Sequence, residues 1–181
     1  KTNYAVSNKP GTVNTGDINN DGKLDIVTSN DISKTISILI NTSSVGIISF
    51  ASKQDFLTGT YAVDIALGDI DNDGKVDLIE LNNQDNTVSI LRNTGTTGVL
   101  SFAARINYST GSSPSNVAVI DMDEDGKQDV IVTNQYGMSI SVLKNISTPG
   151  TISFNQKVDF SIPYHPIKID VGDLNNDGKL D

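Results

Sequence analysis

GDIDNDGKVD, residues 68–77, decides the fold once it is set beside its own copies. GDINNDGKLD lies at 16–25, IDMDEDGKQD at 120–129 and GDLNNDGKLD at 172–181, so the first aspartates, Asp17, Asp69, Asp121 and Asp173, fall 52 residues apart. A constant interval of that size marks a repeat array whose units cannot cover their own apolar faces and must stack.

Working outward at the same offset, the rest of the unit aligns without a gap. TISILIN at 35–41 falls on TVSILRN at 87–93 and SISVLKN at 139–145; these β-branched, partly alternating runs read as strands. ISF at 48–50 falls on LSF at 100–102 and ISF at 152–154, and DF at 55–56 on NY at 107–108 and DF at 159–160; each is expected to end a strand. A strand is expected before each acidic loop (62–67, 115–120, 167–171) and another after it (24–28, 76–80, 128–132). Turns rich in Asn, Ser, Thr and Gly stand at 41–46, 93–98 and 145–150. No 3.6-residue apolar period persists, so no helix is expected. Four short strands in about 50 residues is the arithmetic of a propeller blade. The expectation is an all-β chain, a β-propeller of four-stranded antiparallel blades with about three and a half blades present. The repeats are placed at 8–59, 60–111, 112–163 and, in part, 164–181.

Ca²⁺ is a hard cation taking six to eight oxygens, and carboxylates two residues apart on a tight loop can converge on it. In the second loop, positions 1, 3, 5 and 9 are Asp69, Asp71, Asp73 and Asp77, with the Lys75 carbonyl offered at position 7 and Gly74 permitting the turn at position 6. The same roles fall to Asp17, Asn19, Asp21, Lys23 and Asp25; to Asp121, Asp123, Asp125, Lys127 and Asp129; and to Asp173, Asn175, Asp177, Lys179 and Asp181. One Ca²⁺ per loop, up to four, is the expectation. The second and third loops, with four carboxylates at these positions against three in the others, are expected to bind more tightly. The apolar residue at position 2 (Ile18, Ile70, Met122, Leu174) is expected to plug into the core. Asp, Asn and Gly also make good turns without any metal. Four copies in register argue against that plain reading, because unscreened carboxylates so close would repel one another.

Residues 69–80 also fit an EF-hand, with Glu80 at position 12. The equivalent residues in the first and third copies are Thr28 and Val132, and the flanks read as strands, so the match is accidental and Glu80 is expected to face solvent from a strand.

The motif D-x-[DN]-x-D-G-x-x-D followed by an apolar strand resembles the FG-GAP/VCBS class of calcium-binding propeller repeats, similar to those of the integrin α-subunit propeller and of secreted bacterial proteins. In place of the name-giving Phe-Gly and Gly-Ala-Pro stretch stand YSTGSSP at 108–114 and FSIPYHP at 160–166, closer to the bacterial VCBS form. The resemblance implies calcium at the loop positions named above. Propellers of the class usually have seven blades, so this chain is expected either to belong to a longer parent or to form a homodimer that completes the ring.

Composition narrows function. The net charge is −9, and 15 of the 22 acidic residues lie inside the four loops, leaving no cationic footprint for nucleic acid. There is no cysteine, so neither disulfide nor thiolate chemistry is available. No run approaches a membrane span, so no membrane insertion is expected. His165, the one histidine, stands alone in a proline-flanked turn, and no nucleophile, phosphate loop or zinc cluster accompanies it. The expected function is therefore non-catalytic: a secreted or cell-surface bacterial module, calcium-stabilised, that binds or adheres to an extracellular protein or glycan. The alternative is a lectin, or the carbohydrate-binding propeller domain of a secreted polysaccharide-active enzyme. Tyr61, Tyr136 and Tyr164 are the candidate sugar-facing aromatics, with rim or core packing as the competing reading.

Overall fold

The computed structural model describes residues 2–176 and 178–180. Twelve strands form three sheets among these residues, with no helix. The first sheet contains β1 (Pro10–Gly16), β2 (Asp25–Asn30), β3 (Thr35–Leu39) and β4 (Gln54–Leu57). The second contains β5 (Ala62–Gly68), β6 (Asp77–Asn82), β7 (Thr87–Leu91) and β8 (Ile106–Ser109). The third contains β9 (Pro114–Ile120), β10 (Asp129–Asn134), β11 (Ser139–Leu143) and β12 (Val158–Ser161). Each is an antiparallel meander in sequence order, which is the blade the repeat predicts.

Residue choice explains each strand's place. β6 and β10 are buried along their whole length and are rich in Leu, Ile and Val. The outermost strands carry polar and charged residues and stay largely exposed; β12 is exposed throughout. First strands face one another in succession: β1 lies against β5, and β5 against β9. Polar side chains stitch that inner row. Asn14 Nδ2 donates to the Ile65 carbonyl, and Asp64 Oδ2 accepts from Asn116 Nδ2 (2.5 Å) and the Val117 amide (3.0 Å).

The apolar core lies between blades. One cluster joins Ile18, Val27, Ile36 and Ile38 of the first blade to Ile65, Leu78 and Leu91 of the second; another joins Ile70, Ile79 and Leu81 to Val117, Val130 and Leu143 of the third. Full burial of such side chains is worth about 1.5–3 kcal/mol each, so the blades stabilise one another as stacked repeats must. The aromatics that recur in sequence meet across the same interfaces. Phe56 of β4 packs edge-on against Phe102, and Tyr108 of β8 against Phe154, with ring centroids 4.9 Å apart in both cases.

Three local expectations are corrected. Residues 48–50, 100–102 and 152–154 do not end strands; only isolated bridges form there, such as Asn41↔Phe50 and Ser44↔Ile47 around left-handed Gly46. In the first repeat a serine side chain supplements the backbone bonds: Ser43 Oγ accepts from the Ser49 amide (3.0 Å) and donates to the Ser49 carbonyl (3.2 Å). Residues 167–171 form no strand. The Ile169 amide bonds Asn116 Oδ1 instead, at 2.9 Å.

The third correction is Glu80. It is fully buried in β6, with Oε1 accepting from the Gly59 amide at 2.8 Å. β6 is covered on both faces, so no position on it is open to water.

Candidate metal centres

Each of the first three acidic loops joins the first and second strands of a blade, and its aspartates fold it. Asp69 Oδ1 accepts from the Asp73 amide (3.0 Å) and Oδ2 from the Gly74 amide (2.8 Å). Asp73 Oδ1 accepts from the Lys75 amide at 3.0 Å, an Asx-type turn. Left-handed backbone at Asn72 (φ 55°) and Gly74 (φ 85°) tightens the curve. Asp77 closes it: Oδ2 accepts from the Ile70 amide (3.0 Å) and Oδ1 from the Asn93 amide (2.7 Å).

The first and third loops repeat this pattern. Asp17 and Asp121 take the amides of Asp21 and Gly22, and of Asp125 and Gly126. Asp25 takes those of Ile18 and Asn41, and Asp129 those of Met122 and Asn145. In the fourth loop the Gly178 amide donates to Asp173 Oδ2 at 2.8 Å. Asn175 and Lys179 are exposed there, and the predicted ligands Asp177 and Asp181 lie outside the described residues.

Two loops bring three carboxylates together. One oxygen each of Asp69, Asp71 and Asp77 lies within 4.8 Å of the others, and Asp121, Asp123 and Asp129 form the same group. These are positions 1, 3 and 9. The position-5 carboxylates are engaged elsewhere: Asp73 Oδ2 lies 3.6 Å from Lys75 Nζ, and Asp125 Oδ2 lies 3.3 Å from Lys144 Nζ. In the first loop Asn19 replaces the middle carboxylate, its Oδ1 accepting from the Asp21 amide (3.2 Å) and its Nδ2 donating to Asp21 Oδ2 (3.0 Å). Lys23 and Lys127 direct their ammonium groups to the carbonyls of Ser43 and Ser147.

The second loop carries the test of fit. Asp71 is 1% exposed; its Oδ2 accepts from the Gly150 amide at 2.8 Å, but its Oδ1 is buried without a hydrogen-bond partner. A buried carboxylate oxygen without a partner costs several kcal/mol unless a cation or donor meets it. Burial pushes Asp77 up to about 7, with the charges of Asp71 and Asp73 adding and the Asn93 and Ile70 amides opposing. Burial raises Asp25 and Asp129 as well. A hard divalent cation would favour the ionised forms, so the all-oxygen donor set fits one.

The first and second loops are each clasped by the following blade. Asn93 Nδ2 donates to the Ile18 carbonyl (2.8 Å) and Asn145 Nδ2 to the Ile70 carbonyl (2.7 Å), while the Gly98 amide donates to the Asn19 carbonyl (2.9 Å). Position 2 follows the same logic. Ile18 and Ile70 are buried by the next blade, whereas Met122 is 37% exposed and Leu174 86%, contrary to the expectation that all four plug into the core.

Sequence reading missed a second repeated device. Asn30, Asn82 and Asn134 end the second strands, and each donates through Nδ2 to a serine on the third strand: Ser37 (2.9 Å), Ser89 (2.8 Å) and Ser141 (2.8 Å). Those hydroxyls donate onward to Asp55, Asn107 and Asp159 of the fourth strand. The signal was present as Asn followed seven residues later by Ser in all three full repeats.

Three stacked four-stranded meanders, each opening on an acidic loop, define the class as a β-propeller of acidic-loop repeats. The profile of the FG-GAP-like repeat matches over residues 17–80, 79–132 and 121–181, and the chain belongs to that family. No individual curated protein matches it.

Proposed function

We propose that the chain is a calcium-stabilised, extracellular binding or adhesion module whose metals are structural. The observation that carries the reading is the convergence of Asp69, Asp71 and Asp77 around the partnerless Asp71 Oδ1. Calcium there would be held by those three carboxylates, and at the third loop by Asp121, Asp123 and Asp129. Asp73, Asp125 and the carbonyls of Lys75 and Lys127 are the further donors assigned by the repeat. Asp17, Asn19, Asp21, Lys23 and Asp25 would serve the first loop, and Asp173, Asn175, Asp177, Lys179 and Asp181 the fourth. The FG-GAP-like family supports a binding role, and no described helix is long and apolar enough to cross a membrane. We also propose that further blades, from a longer parent chain or a second copy, complete the ring; the open flank around Met122 supports this, and light scattering tests the second copy.

Glycan is the ligand class with specific support. Tyr136 and Tyr164 are 68% and 80% exposed, and Tyr61 is also exposed, with Lys9 Nζ 5.1 Å from its ring centroid. Tyr136 packs edge-on to His165, whose Nδ1 lies 2.7 Å from the Gln135 carbonyl, so that histidine serves as packing in a surface turn. The meander puts these residues at the strand ends opposite the acidic loops, where bound metal would not touch a ligand. A glycan array probed in calcium tests this: Tyr136→Ala should lose the signal without changing the melting temperature. Array binding unaffected by Tyr136→Ala and Tyr164→Ala together would refute this face, and a wild type without any array signal would leave a protein ligand.

A further inference from the structure

The residue just beyond the third strand varies together with loop position 3. Ile40 accompanies Asn19, Arg92 accompanies Asp71, and Lys144 accompanies Asp123. In each acidic case the cation reaches the loop. Arg92 Nη1 lies 3.8 Å from both Asp71 Oδ2 and Asp73 Oδ2. Lys144 Nζ bonds Asp123 and lies 3.3 Å from Asp125 Oδ2. Ile40, by contrast, packs against the apolar cluster between the first two blades. The fourth carboxylate of the second and third loops is therefore offset by one positive side chain, and the metal-facing positions 1, 3, 5 and 9 of the first three loops carry the same charge once that side chain is counted.

We propose that Arg92 and Lys144 are built-in competitors for the loop cation. Each holds the carboxylates at positions 3 and 5 in the metal-free protein, and must be displaced or tolerated when a metal enters, so each sets the metal affinity of its loop. The inference rests on the calcium reading above and replaces the expectation that four carboxylates bind more tightly than three. The two competitors also differ. Lys144 is a compact point charge in direct contact with a pair of half-exposed carboxylates, whereas Arg92 stands further off and leaves Asp71 Oδ1 without a partner. The third loop is thus the more strongly self-occupied.

The test is calcium titration of the full, EDTA-stripped chain against a chromophoric chelator, with melting curves of the same samples. Removing a positive charge about 4 Å from the site should tighten one affinity class by roughly tenfold in Lys144→Met, and less in Arg92→Met. Lys144→Arg, which keeps the charge, should tighten binding much less than Lys144→Met. Ile40→Lys should weaken the first loop by a similar factor. In the absence of metal Lys144→Met should melt no higher than wild type, and with saturating calcium its gain on binding should exceed that of wild type. Unchanged or weaker binding in Lys144→Met, with wild type still binding, overturns the competitor role and leaves the calcium reading standing. Failure of wild type to bind calcium overturns both.

Discussion

Replacing Glu80 with glutamine should stabilise the protein above neutral pH and leave it unchanged in acid. The Glu80 carboxyl is fully buried in β6; Oε1 accepts from the Gly59 amide, while Oε2 has no partner. Two residues along the same strand face, Asn82 Oδ1 is also buried without a partner, and a Cβ at Gly59 would fall 2.3 Å from it. Burial raises Glu80 from 4.5 to about 7; the Gly59 amide and the Arg105 charge oppose the shift and the Asp85 charge adds to it. The folded state therefore holds the proton more tightly than the unfolded chain. This contribution is fully present below pH 4.5 and is lost as pH rises through about 7. At 1.36 kcal/mol per unit, the loss by pH 8 is about 3 kcal/mol. Glutamine is the neutral isostere: its carbonyl keeps the Gly59 bond, and its amide needs no charge buried. Urea unfolding at fixed calcium, followed by circular dichroism at pH 5 and pH 8, measures the difference. Glu80→Gln should exceed wild type by about 2–3 kcal/mol at pH 8 and by less than about 1 kcal/mol at pH 5. A variant no more stable than wild type at pH 8, or a difference that does not change with pH, would refute the reasoning. Asp77 titrates in the same range but is common to both proteins and cancels in the comparison.

Two further outcomes follow from the interlocking of blades. Ile70→Ala, at a side chain sealed between the second and third blades, should cost about 2–4 kcal/mol in urea unfolding, whereas Met122→Ala at the equivalent open position should cost less than about 1 kcal/mol. Asn93→Ala strips bonds from the carbonyls of Ile18 and Val76 and from the Gly95 amide, all at a buried site, and should cost about 2–3 kcal/mol. A loss below 1 kcal/mol would mean that the clasp between blades is not coupled to folding.

Much of this architecture could be read from the repeat, because the backbone chemistry of each loop is local. Aspartate at position 1 and glycine at position 6 act within five residues, so register alone placed the turns and the strands beside them. What could not be read depends on neighbours distant in sequence. Glu80 looked like a solvent-facing residue because its partners, the Gly59 amide and Arg105, come from other segments, and because a strand covered on both faces has no polar side to reveal. Met122 was misplaced for a related reason: Ile18 and Ile70 are buried by the following blade, a property of stacking that the loop sequence does not carry. The convergence of positions 1, 3 and 9, with position 5 turned to Lys75 or Lys144, likewise depends on where the third strand delivers its cation.

The central claim is that the acidic loops hold calcium and that this calcium holds the blades. Its most direct measurement is the melting temperature of the EDTA-stripped chain against the same chain in excess calcium, with magnesium as control. A site filled at 100 times its dissociation constant adds about 2.7 kcal/mol, so calcium should raise the midpoint by several degrees or more, and magnesium, which demands a smaller octahedral cage, by much less. Superimposable curves with and without calcium would contradict the account.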